Sequence, residues 1–75
     1  MEVDIICEKR AMDREELINY LNDFLNSVSY VTAIDISNIT LSDYNDFLKL
    51  VHEYNLDETL IRFNDYAVVV LKKWR

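Results

Sequence analysis

Two hydrophobic periods alternate along this chain. Residues 2–7 switch sides at each step: Val3, Ile5 and Cys7 point one way, and Glu2, Asp4 and Ile6 the other, which predicts a first strand. From Leu17 the period changes. Leu17, Ile18, Tyr20, Leu21, Phe24, Leu25 and Val28 recur at spacings of three and four, a wide apolar stripe on one helical face. Asp13 stands just before it, where its carboxylate can accept from the free amides of a first helical turn. Glu16, three residues on, completes a capping box. Glu15 and Glu16 also suit the positive end of the helix dipole.

Residues 30–36 are rich in β-branched and aromatic side chains and predict a second strand. Thr40 or Ser42 then caps a second helix, with Ile39 placed to staple against Tyr44. Its buried face is Leu41, Tyr44, Phe47, Leu48, Val51 and Tyr54. Asn55 ends that helix by turning left-handed, and Leu56 closes over it. Residues 59–63 predict a third strand, Asn64 and Asp65 a two-residue turn tolerant of positive φ, and residues 66–74 a fourth strand. Val68, Val69, Val70 and Leu71 are apolar on both sides, the pattern of an interior strand.

The expected fold is therefore an α/β two-layer sandwich over residues 1–75, one domain in the order β-α-β-α-β-β. A right-handed crossover sets the first two strands parallel. The apolar fourth strand sits between the second and third, both helices lie on one face, and the first and third strands are edges. The other sheet face is open and carries Ile6 with part of the Val68 to Leu71 run. A homodimer through that open face would cover it. At 75 residues and 9.0 kDa a single core is marginal, which strengthens the case for a dimer.

That element order, at this length, resembles the SirA/TusA-like sulfur-carrier family, with a match from Tyr20 through Lys73 in topology and element lengths. In that family a Cys-Pro pair opens the first helix, where the dipole and free amides lower the cysteine pKa for persulfide transfer. The resemblance implies the fold. At the matching position this chain has Asp13-Arg14, and its one cysteine, Cys7, stands six residues earlier. The same topology also serves nucleic-acid binders of the Alba type, which are basic.

Composition sharpens the exclusions. Average usage would give roughly five glycines and four prolines in this length; the chain has none of either. Phosphate-cradling Gly loops, dinucleotide fingerprints and nucleophile elbows are excluded. Acids number 14 against 8 bases, for a net charge of −6. Between residues 15 and 61 there are nine acids and a single base, Lys49, whereas residues 62–75 hold four bases and one acid. So acidic a chain repels a phosphate backbone, which argues against direct nucleic-acid binding. A lone cysteine, no signal-peptide pattern in residues 1–10, and no apolar run of membrane-spanning length point to a reducing, cytoplasmic setting.

The candidate chemistry is sparse. Cys7 alternates with Val3 and Ile5 and reads as a small buried hydrophobe; a nucleophilic role would draw on Lys9, Arg10 and the helix start at Asp13. His52 borders the second helix's stripe, and Cys7 with His52 is too few ligands for a structural zinc site. One Cys and one His assemble no nucleophile, base and oxyanion set, so no enzyme activity, metal or cofactor is expected. The five tyrosines read as core residues with hydroxyls at the rim. Trp74, among Lys72, Lys73 and Arg75, can anchor in a partner's pocket or fold back over the core. The function expected is a small acidic interaction module, an adaptor or inhibitor. It would bind a protein with a basic surface through Glu15, Asp23, Asp46, Glu53 and Trp74. A nucleic-acid mimic is a special case, and the Ile, Asn and Tyr usage suggests an AT-rich viral or mobile-element source. The alternative is a sulfur-carrier or redox protein using Cys7.

Overall fold

A computed structural model describes residues 9–73. The elements run β1 (Lys9–Arg10), α1 (Arg14–Asn26), β2 (Val31–Asp35), α2 (Leu41–Glu53), β3 (Asp57–Arg62) and β4 (Ala67–Lys72). They form one four-stranded sheet in the order β1-β2-β4-β3, with β1 parallel to β2 and β4 antiparallel to both β2 and β3. The two-layer α/β sandwich is as the sequence predicts, with the apolar strand inside. The predicted strand over residues 2–7, Cys7 included, lies outside the described residues, as does Trp74. Among the described residues no helix is long and apolar enough to cross a membrane.

Register decides the faces. Ile34 stands opposite Val69, and Thr32 opposite Leu71. Ile34, Val69 and Leu71 share one core with Leu17, Leu21 and Phe24 of α1 and Tyr44, Phe47 and Val51 of α2. Both helices therefore cover one face. Because β1, β2 and β3 point one way, the two helices return side by side in the same direction. The other face carries Val68, buried, with Ala33, Ile61 and Val70 half-buried and Val31 exposed.

The caps follow local chemistry. Asp13 accepts from the Glu16 amide at 2.9 Å, and Thr40, rather than Ser42, accepts from the Asp43 amide at 3.2 Å. The return arm of the first box differs from expectation: Glu16 Oε1 accepts from the Met12 amide, at 2.7 Å, one residue before the cap. Asn55 has φ 59°, and among the described residues it is the one with positive φ. Its amide donates to the His52 carbonyl while Leu56 donates to Val51, both at 3.1 Å. This is a Schellman close with buried Leu56 as its apolar lid. The hairpin turns at Asn64 and Asp65 as expected, and neither residue takes a positive φ. The Phe63 amide donates to the Tyr66 carbonyl at 2.8 Å and closes the loop around those two residues.

Both stripes are narrower than predicted. Val28 lies beyond the end of α1, Leu41 is the first residue of α2 and Tyr54 its cap, and all three are exposed. Residues at helix ends face past the sheet rather than onto it. Of the tyrosines, Tyr44 is buried and Tyr20 packs on the core, whereas Tyr30, Tyr54 and Tyr66 are exposed.

Asp35 ties three strands at the end of β2. It is 6% exposed, and its Oδ1 accepts from the Ser37 hydroxyl at 2.6 Å and the Ser37 amide at 2.9 Å. Ser37 Oγ in turn accepts from the Ala67 amide of β4, and Arg10 of β1 pairs with Asp35 Oδ2 at 3.4 Å. Burial alone would push the carboxyl up. The Ser37 bonds and the Arg10 guanidinium outweigh it and hold the group below its ordinary 3.8. A depressed folded value means that the stabilisation is full at neutral pH and is lost as pH falls through the folded value. Asp35→Asn is expected to cost about 1–2 kcal/mol at pH 7, with Arg10 and Ser37 left facing a neutral amide. Urea melts at pH 7 and at pH 2.5 check this: the gap between wild type and variant should shrink in acid. A gap that persists there would show that geometry, not charge, carries the tie.

Candidate functional site

The helical layer is the outer surface of the sandwich, and its charged positions are mostly acidic. Glu15, Asp23 and Glu53 are exposed, and Asp46 is half-buried. Among the described residues the ion pairs are Arg10–Asp35 at 3.4 Å, Arg14–Asp46 at 3.7 Å and Lys49–Asp46 at 4.0 Å. Asp46 is thus already engaged by cations from both helices. The expected site residues do not act alike: Glu15, Asp23 and Glu53 offer open carboxylates, and Asp46 serves first as the bridge between α1 and α2.

Position relative to the helix dipoles separates the three. Glu15 lies in the first turn of α1, where a negative charge is favoured. Asp23 and Glu53 lie in the last turns of α1 and α2, where the negative dipole end favours cations. Because the helices run side by side, both ends and both acids belong to one end of the layer. Leu25, Tyr54, Asn55 and Lys73 line a hollow between them. Of the nearby described cations, Lys73 is held by α1, and Lys72 lies on the sheet side away from the helices. Lys73 Nζ donates to the Ser27 carbonyl at 2.6 Å and sits 4.7 Å from the centre of the Phe24 ring, closing α1. Lys72 stands opposite Asp57 at the end of β4. The layer therefore presents two helix C-termini together with two carboxylates that have no ion pair among the described residues, an arrangement that concentrates negative potential.

At the opposite end, a groove of about 540 Å³ opens between the start of α2 and the β3–β4 hairpin. Leu41, Leu60, Phe63, Tyr66 and Arg62 line it. Phe63 and Tyr66 stack with centroids 4.4 Å apart. Beneath it, Tyr44 Oη donates to Glu58 Oε2 at 3.4 Å. Burial and the adjacent Glu58 carboxylate push the Tyr44 hydroxyl up to about 12, so it stays a donor. Neither the groove nor the Asp35 tie was anticipated from sequence. The Asp-x-Ser pattern at the end of β2 is the signal that would have found the tie. His52 is exposed in the last turn of α2.

No known family model, curated protein or solved structure matches this chain.

Proposed function

We propose that the chain is a non-enzymatic protein-interaction module, an adaptor or inhibitor, whose acidic helical layer docks on a basic surface of a partner protein. The observation that carries this is the placement of Asp23 and Glu53. Acids at helix C-termini are mildly unfavourable to the fold, by roughly 0.3–1 kcal/mol each. Asp23 and Glu53 thus set charge where the fold gains nothing from it and leave it open to a cationic surface. Carboxylates spaced along two parallel helices can also stand where a nucleic acid carries phosphates, so a nucleic-acid-binding partner is the special case of the same chemistry. The test is reversal of Asp23 and Glu53 to lysine, read against an oligo-arginine peptide.

A second reading, a SirA/TusA-like sulfur carrier or redox protein using Cys7, draws support from the shared β-α-β-α-β-β order. Against it, α1 is capped by Asp13, where that chemistry would need its cysteine. The two readings part on thiol reactivity. A carrier requires Cys7 to alkylate faster than a free thiol near neutral pH, because its thiolate must be populated. We expect slow labelling by iodoacetamide in the native chain and fast labelling only in denaturant. Fast native labelling would restore the sulfur-carrier reading.

A further inference from the structure

We propose that β3 is a self-association edge, and that two copies of this chain pair antiparallel through it about a two-fold axis at Leu60. Strand order leaves β3 at the rim of the sheet. It is six residues long, with Thr59 and Leu60 exposed at its centre. It has no proline and no lysine, and its charged side chains, Asp57, Glu58 and Arg62, flank an uncharged centre, Thr59 to Ile61.

The backbone itself fixes which residues can pair. The Phe63 amide donates toward β4, to the Tyr66 carbonyl. Antiparallel ladders alternate, so Ile61, Thr59 and Asp57 also spend their backbone groups on β4. Glu58, Leu60 and Arg62 therefore turn their N–H and C=O groups outward. A second strand must offer an outward set of its own, so the partner's Glu58, Leu60 and Arg62 are the groups available.

Among the allowed registers one satisfies the charges. Centred on Leu60, it sets Leu60 against the partner's Leu60 and Glu58 against the partner's Arg62, twice by symmetry. A shift of two residues in either direction puts Glu58 opposite the partner's Leu60 or the partner's Asn64 and loses both ion pairs. The side chains are ready for this arrangement. Arg62 is exposed and has no ion pair among the described residues. Glu58 is steadied through Oε2 by Tyr44, which leaves Oε1 for a second donor. Leu60, 40% exposed, gains an apolar neighbour at the dyad.

Glu58, Leu60 and Arg62 share the sheet side of Leu71, Val69 and Ala67, the side under the helices. Directly opposed residues in an antiparallel pair point to the same side. The two sheets thus merge into one with both helical layers on the same surface, which doubles the acidic face and allows avidity toward a cationic partner. This pairing goes beyond the proposed binding face and stands or falls apart from it.

Sedimentation of the full chain, with circular dichroism as the check on folding, tests it. Wild type should be dimeric. Arg62→Glu, which sets like charges opposite each other twice, should weaken the dimer by at least about tenfold. The exchange Glu58→Lys with Arg62→Glu should restore it. Leu60→Pro removes an amide that the fold does not use, so the variant should keep its dichroism and sediment as a monomer. A wild type that stays monomeric up to about 1 mM overturns the proposal. So does a folded exchange variant that stays monomeric. A dimer that survives Arg62→Glu and Leu60→Pro but is lost on Val70→Lys overturns it too, by moving the contact to the open sheet face.

Discussion

Replacing Phe47 with alanine is expected to leave the chain mostly unfolded in dilute buffer. Phe47 is fully buried at the centre of the one core, among side chains from both helices and the sheet, and its ring lies 6.1 Å from that of Tyr44. Truncation of a buried phenylalanine costs about 3–5 kcal/mol in transfer and cavity terms. A single core in a chain this small supplies about the same amount in total. The two figures meet, so the variant has no margin. Leu48→Ala is the matched control: Leu48 is half-buried on the same helix and should cost about 1–2 kcal/mol and leave a cooperative urea transition. A Phe47→Ala variant that melts within about 1 kcal/mol of wild type would mean that the core is elsewhere.

Much of this architecture was legible because its causes are local. Asp13 and Thr40 bond amides three residues away, so both helix starts could be read directly. Asn55 had no glycine to compete with it and took the left-handed position. The run from Val68 to Leu71 needed cover on both sides and became the interior strand. What sequence did not show depends on residues far apart in the chain. Lys73 closes α1 from the far end of β4, although it reads as a solubilising lysine. Arg14 meets Asp46 only because the two helices run side by side. The Asp35 tie needs Arg10 from β1 and the Ala67 amide from β4. The site shows the same division. That Glu15, Asp23 and Glu53 would be exposed follows from helical period, but that Asp46 would be bridged, and that Asp23 and Glu53 would share one end of the layer, needed the packed fold.

The acidic layer makes the second large prediction, and stability and binding should move in opposite directions. In Asp23→Lys with Glu53→Lys, each new cation sits at a helix C-terminus and should stabilise the fold by a few tenths of a kcal/mol or more. The same change removes two open carboxylates and sets positive charge on the proposed contact. For a cationic ligand the main loss should be in association rate, well over tenfold at low salt. It should fade as the Debye length shrinks to about 8 Å near physiological ionic strength. Net charge alone would also slow a cationic ligand, so a second variant is needed. Asp65→Lys with Asn38→Lys and Asn64→Lys makes the same charge change at the opposite end of the sandwich, on exposed loop positions.

The deciding measurement is the stopped-flow association rate of an oligo-arginine peptide with wild type, the helix-end variant and the control variant across a salt series. The helix-end variant should lose more than about tenfold at low salt while melting at or above the wild-type temperature, and the control should lose only a few-fold. Equal losses in the two variants would show that the chain has a diffuse acidic surface and no dedicated helical binding face.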